Sequence, residues 1–237
     1  MLNRLNAALV AEAVGTFLFF FVGAGSVILA THAGADGPGL VGIAFAHGLA
    51  LAVLVSAFGS ISGGHFNPAV TVAVRLAGRI EWTKAAGYVV AQLIGAAAAG
   101  YLLSVVMPVQ AATDSALGTP ALGEGMGVAS AIVIEAVLTL LLVLTVFGTA
   151  IDPRAPKIGG LAIGLAVAAD VLMGGPLTGA AMNPARWFGP ALASQTWDNW
   201  YVWWIGPLLG GIVAAVLYRY FFEGEAEPEV TPATPEG

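Results

Sequence analysis

The 237-residue sequence predicts an all-α membrane protein: six transmembrane helices plus two re-entrant half-helices, arranged as two inverted repeats. Three observations predict it. Hydrophobic residues make up 58% of the chain and charged residues only 9%, whereas a soluble domain carries about 25% charged residues. Six apolar segments reach the ~20 residues that a helix needs to cross a bilayer. A polar stretch built on Asn-Pro-Ala occurs twice, as GGHFNPAV at 63–70 and GAAMNPAR at 179–186.

The first span is expected over about 6–30, where Arg4 precedes an apolar run. Glu12 interrupts that run and FLFFFVGAGSVILA continues it to full length, so it reads as a retained helix rather than a signal peptide. The second span covers about 39–59, the third 83–107, the fourth 128–149, the fifth 157–176 and the sixth 200–222. The apolar stretches after the two Asn-Pro pairs, 67–77 and 183–193, are too short to span. Asn is a preferred N-cap and Pro is favoured at the first helical position, so each Asn-Pro starts a half-helix. Gly63, Gly64, Gly179 and Ala180 let the preceding backbone run extended in a tight space.

Both halves open on Glu-Ala-Val-x-Thr, at 12–16 and 135–139. Three spans per half is an odd number, so the repeats, about 6–107 and 128–222, are inverted. Inverted repeats place their site at the repeat interface near the bilayer midplane. There two half-helices aim their positive N-termini at one spot. Each Asn can cap its own helix through its side-chain oxygen and present its NH₂ to the cavity. Residues 1–222 form a channel domain on this reading, and 223–237 a disordered acidic tail.

Lys and Arg favour cytoplasmic loops. Arg4, Arg75, Arg79, Lys84, Arg154, Lys157 and Arg219 fall on one face. The other face holds Asp36, Asp114, Glu124 and Asp198, with Arg186 its single basic residue. Both termini are therefore expected to be cytoplasmic. No cysteine is present, which excludes disulfides, thiolate catalysis and cysteine metal sites. Three scattered histidines assemble no metal cluster or nucleophile–base pair, so no enzyme, cofactor, metal or nucleic-acid partner is expected. Glu12 and Glu135 each cost about 2.5–3.5 kcal/mol on insertion scales, which marks them as functional. They read either as proton relays of a transporter or as acceptors that fix the re-entrant loops.

The paired motifs SGGHFNPAVT and LTGAAMNPARWFGP, in six spans and two inverted halves, resemble the aquaporin, or major intrinsic protein, family. The resemblance covers essentially the whole chain except the tail. It implies a homotetramer in the cell membrane with one pore per subunit. It also implies a four-residue selectivity filter: His47, twenty residues before Asn67; Val171, twelve before Asn183; Ala180; and Arg186. Orthodox water channels usually carry Phe and His at the first two positions. The set here is similar to plant tonoplast-type aquaporins, which pass water and often ammonia or urea. Glycerol-conducting members typically have Asp after the filter Arg, where this chain has Trp187.

By the same resemblance Asn67 and Asn183 donate to single-file water. Backbone of Gly63, Gly64, His65, Phe66, Gly179, Ala181 and Met182 lines the pore, and Glu12 and Glu135 support the loops. Arg186 and the helix ends exclude protons. The His65 ring is expected to be structural, and Asp170 to point away from the pore. The expected function is a passive water channel that excludes protons and ions and also passes small neutral solutes such as ammonia or urea. The alternatives are a glycerol-type facilitator, a proton-coupled transporter using the buried carboxylates, and a junction protein with a closed pore.

Overall fold

The structure, a computed structural model, describes residues 4–156 and 158–223. Lys157 and the acidic tail from residue 224 lie outside the described residues, so the expectations placed on them have no structural counterpart.

Six long helices carry the apolar spans: α1 (Arg4–Ala33), α2 (Gly39–Ser62), α4 (Trp82–Val106), α6 (Val128–Val146), α7 (Gly159–Thr178) and α9 (Val202–Leu217). At 1.5 Å per residue, α7 with its 20 residues is ~30 Å long, the thickness of a bilayer core. Two short helices follow the Asn-Pro pairs: α3 (Pro68–Leu76) and α8 (Pro184–Ser194). The described residues contain helices and loops and no strand, which agrees with the predicted fold class. The connection between α4 and α6 also folds a short helix, α5 (Val109–Asp114), and a 3-10 turn over Ala116–Gly118. Neither is visible in the sequence, because their apolar residues are too few to show a period. α6 and α9 each end in a π-helical turn, Phe147–Ile151 and Tyr218–Phe222. The Phe147 and Tyr218 rings stack there at 4.8 Å.

Large apolar side chains such as Val53, Ile94, Val105 and Val133 face outward, more than 60% exposed. Lipid tails are as apolar as these residues, so helix association rests on close packing of small residues. α2 meets α7 at two glycines that face each other. A Cβ on Gly48 would lie 2.5 Å from the Gly164 carbonyl oxygen, and one on Gly164 would lie 2.3 Å from that of Gly48. The same pattern joins the outer pairs. Gly95 of α4 packs on the Ala13 carbonyl of α1, and Gly210 of α9 packs on the Ala136 carbonyl of α6. Ala13 and Ala136 are the alanines of the two Glu-Ala-Val-x-Thr segments. The inverted halves therefore share their helix contacts as well as their motifs.

Candidate functional site

Each half builds its re-entrant loop around one buried glutamate. α2 and α7 end on left-handed glycines, Gly63 (φ 100°) and Gly179 (φ 78°), which turn the chain back into the bundle. In the first half, Glu12 Oε1 accepts from the Ser62 hydroxyl (2.6 Å) and the His65 N–H (3.0 Å). Its Oε2 accepts from the Phe66 N–H and the Gln92 amide, both at 2.8 Å. In the second half, Glu135 Oε1 accepts from the Thr178 hydroxyl (2.7 Å) and the Ala181 N–H (2.9 Å). Its Oε2 accepts from the Met182 N–H at 2.7 Å. The two hydroxyls also accept from loop backbone, Gly64 N–H to Ser62 and Ala180 N–H to Thr178. Irregular backbone at membrane depth thus finds its partners inside the protein.

Phe66 (φ 47°) and Met182 (φ 52°) hold left-handed conformations immediately before the two asparagines. A non-glycine residue pays about 1–3 kcal/mol for such a conformation and keeps it only where its surroundings over-determine it. Here the glutamates fix the amide of each residue and the opposite loop fixes its carbonyl. Asn67 Nδ2 donates to the Met182 carbonyl and Asn183 Nδ2 donates to the Phe66 carbonyl, each at 2.9 Å. The asparagine oxygens cap their own half-helices, through Ala69 N–H for Asn67 and through Ala185 and Arg186 N–H for Asn183. Each amide has two N–H donors, so one ties the repeats together and one remains for the cavity. The sequence alone leaves the whole NH₂ group to the cavity, and the structure corrects that to a single N–H.

A cavity of about 900 Å³ runs from the end of the bundle bearing Arg79 and Asp152 to Arg186. Its apolar wall includes Leu51, Val55, Val70, Val74, Leu142, Val146, Ile163 and Val167. The loop residues Gly63, Gly64, His65, Asn67, Ala180, Ala181, Met182 and Asn183 also line it, and Phe19, His47 and Arg186 stand at its far end. Arg186 is 3% exposed. Its Nη1 donates to the Gly118 carbonyl at 2.8 Å and its Nε to His47 Nε2 at 3.1 Å. His47 Nδ1 lies 2.9 Å from the Ile43 carbonyl. A carbonyl only accepts and a guanidinium only donates, so Nδ1 carries the proton and Nε2 the lone pair. Gly23 leaves the space that the His47 ring fills, since a Cβ there would lie 2.7 Å from it.

Three expected lining residues are not on the cavity wall. Val171 belongs to the same buried apolar cluster as the wall residues Leu51, Ile163, Val167 and Ala180, one helical turn before Gly175. Phe66 turns its ring under Gly15 and gives its N–H and carbonyl to Glu12 and Asn183. Gly179 is occupied in capping α7 and packs under Pro120. Asp170 also lies off the wall, 1% exposed, with Oδ2 lacking a hydrogen-bond partner among the described residues. His65 lies along the cavity, and its ring is held from behind, with Nδ1 3.1 Å from the Thr71 hydroxyl and the ring edge-on to Tyr88 at 5.2 Å. Sequence reasoning missed Ser62, Thr178, Gln92 and Gly118. For the first two a signal existed: a hydroxyl residue followed by Gly stands five positions before each asparagine.

At the Arg79 end, Asp152 accepts from Arg154 Nε (2.9 Å) and Nη2 (2.5 Å) and from the Tyr218 hydroxyl. The Arg154 side chain, and then Tyr218, hold the Asp152 carboxyl well below the usual carboxylate range. Arg154 also donates to the Phe222 carbonyl, and Arg79 pairs with Glu223. The end of α9 is thereby tied to the rim of the cavity.

Residues 3–218 match the family model for major intrinsic proteins. The chain is 44% identical to aquaporin TIP4-4 of Zea mays, over 95% of this chain and 90% of that protein. It is 43% identical to aquaporin TIP2-1 of Arabidopsis thaliana, over 93% and 89% respectively. Among solved structures, the aquaglyceroporin of Plasmodium falciparum superposes with a TM-score of 0.81 at 22% identity, covering 92% of this chain and 97% of that one. That likeness establishes the shared fold, and the family match with the identities establishes the kinship. The chain is a multi-pass membrane protein of the major intrinsic protein family, the aquaporins.

Proposed function

We propose that the chain is a passive water channel that excludes protons and ions and also passes small neutral solutes such as urea or ammonia. The observation that carries this reading is the cavity itself, lined by Asn67 and Asn183, each with one N–H uncommitted to the opposite loop, and by Arg186. A water at the asparagines accepts from both amides, so its own hydrogens point outward along the file. The apolar wall offers an ion nothing in exchange for its hydration shell. The positive ends of α3 and α8 and the Arg186 guanidinium repel cations and protons.

The constriction is formed by His47, Ala180 and Arg186, with Phe19 beside them; Val171 backs it from the core. Small Ala180 leaves room beside the guanidinium, which favours neutral solutes somewhat larger than water. Glu12 and Glu135 act as supports, because their oxygens are occupied by loop donors. That leaves the proton-relay reading without a carboxylate on the cavity wall at midplane. On this reading the Lys- and Arg-bearing loops and both termini face the cytoplasm, the channel sits in the cell membrane, and it works as a homotetramer with one pore per subunit.

The test is a solute panel on proteoliposomes. Urea and ammonia uptake should exceed that of empty vesicles, glycerol uptake should be lower than urea, and an internal pH dye should report no proton leak. Flux that saturates and follows a proton gradient would instead favour a transporter.

A further inference from the structure

The Arg79 end of the bundle carries more positive charge than it neutralises. Arg79 and Arg154 pair with Glu223 and Asp152, whereas Arg75 and Arg219 have no carboxylate partner among the described residues. Glu81, the N-cap of α4, pairs with neither. Arg75 stands in the last turn of α3, its guanidinium carbon 4.8 Å from the centre of the Trp82 ring. Its Nε is buried and has no hydrogen-bond partner among the described residues. Arg219, in the π-helical turn after α9, lies 5.7 Å over the Tyr220 ring, and its Nη1 donates to the Leu76 carbonyl at 3.1 Å. α3 packs against both α4 and α9, so these contacts bring the two guanidiniums to the end of one half-helix. A charge taken out of water is costly unless it is paired, and a ring face offsets that cost in part. The arrangement lacks an anion.

The depth of the two arginines says which anion. With Asn67 at the bilayer midplane, a rise of 1.5 Å per residue carries Arg75 up to ~12 Å outward along α3. Half of a ~30 Å hydrocarbon core is ~15 Å, so its guanidinium reaches the headgroup level. Trp82, Tyr220, Phe221 and Phe222 are each more than half exposed at this end, and Trp and Tyr gather at membrane–water interfaces. A guanidinium matches a phosphate with two parallel hydrogen bonds, and basic pockets between spanning helices suit anionic head groups. We infer that Arg75, Arg219 and Trp82 form a binding site for an anionic phospholipid. Its phosphate sits between the arginines, and its acyl chains lie against the exposed Leu76 and Trp82.

Trp82 is its own reporter, because the other five tryptophans belong to α8, the start of α9 and the loop between them. Its fluorescence is the difference between wild type and Trp82→Phe, which keeps a ring face for Arg75. Full-length protein is reconstituted in vesicles of one composition, phosphatidylglycerol in an excess of phosphatidylcholine. Bromine, which quenches tryptophan on contact, is carried on the acyl chains of the phosphatidylglycerol or of an equal amount of the phosphatidylcholine. Trp82 should be quenched more by brominated phosphatidylglycerol, with a preference of about fivefold for each arginine, the weight of one cation near an anionic surface. Arg219→Gln keeps a donor for the Leu76 carbonyl and should lower the preference about fivefold; Arg75→Gln/Arg219→Gln should abolish it. Should the double variant fail to fold, Arg219→Gln decides alone. Equal quenching by the two lipids in wild type, or an unchanged preference in Arg219→Gln, would overturn the site. A preference that inorganic phosphate removes would assign the arginines to a soluble anion instead. One that appears only after Glu225, Glu227 and Glu229 are changed to Gln would assign them to the acidic segment that follows Glu223.

Discussion

Replacing Glu135 by alanine removes the acceptor of three buried donors: the Thr178 hydroxyl and the N–H groups of Ala181 and Met182. Hydrogen bonds within membrane proteins measure about 0.6 kcal/mol on average and about 1.7 at most, so three amount to roughly 2–5 kcal/mol. The carboxylate's own cost of leaving water gives little back. The unfolded reference state of a membrane helix stays in the bilayer, so α6 bears that cost in both states. Met182 would also lose the contact that holds it at φ 52°. Glu135→Gln is the internal control: it keeps one acceptor oxygen for Thr178 and Ala181 but turns an NH₂ toward the Met182 N–H. Stability should therefore fall in the order wild type, Glu135→Gln, Glu135→Ala. Glu12→Ala should fall further than Glu135→Ala, because Glu12 accepts four such bonds. Denaturation of the purified protein, followed by circular dichroism, reads the order, and stopped-flow permeability per protein should follow it. Wild-type stability and permeability in Glu135→Ala would refute the support role.

Other expectations follow from particular contacts. The chain has no cysteine, and Ala180 lines the cavity beside Arg186, so wild type should resist mercurials while Ala180→Cys should be blocked reversibly; an Ala180→Cys protein that takes up the label and still conducts would put the pathway elsewhere. Asp152 is held below the ordinary carboxylate value of about 3.9, so its clamp on the end of α9 is complete above that value and is lost as pH falls through the lower folded value. Hydrogen exchange over 218–223, corrected for intrinsic rates, should show constant protection from pH 8 to 5, and Asp152→Ala should lower it throughout that range. Gly164→Ala puts a methyl 2.3 Å from the Gly48 carbonyl oxygen, and overpacking of this kind costs about 1–3 kcal/mol; an unchanged denaturation midpoint would mean that α2 and α7 part freely.

The spans were legible because length and apolarity are the whole requirement for crossing a bilayer, and the half-helices because Asn-Pro is a start signal with a mechanism. The repeat was visible in Glu12 and Glu135, whose shared sequence context matches their shared role as acceptors. Harder to read was anything decided by the direction of one side chain. Asp170, one residue before Val171, is buried with Oδ2 lacking a partner among the described residues, and no sequence pattern showed what it faces. The asparagine amides look free in the sequence because their second partners, the Met182 and Phe66 carbonyls, lie in the opposite repeat. Gly118 carried no signal at all. Its contribution is a backbone carbonyl, set by a left-handed turn in which neither Ala116 nor Leu117 is a turn-forming residue.

The most direct test of the central claim is osmotic shrinkage of proteoliposomes by stopped-flow light scattering, measured over a range of temperatures against empty vesicles. A continuous pathway past Asn67, Asn183 and Arg186 predicts fast shrinkage with an activation energy well below that of the bare bilayer. Shrinkage at the rate and activation energy of empty vesicles, from protein shown to be folded and inserted, would contradict it.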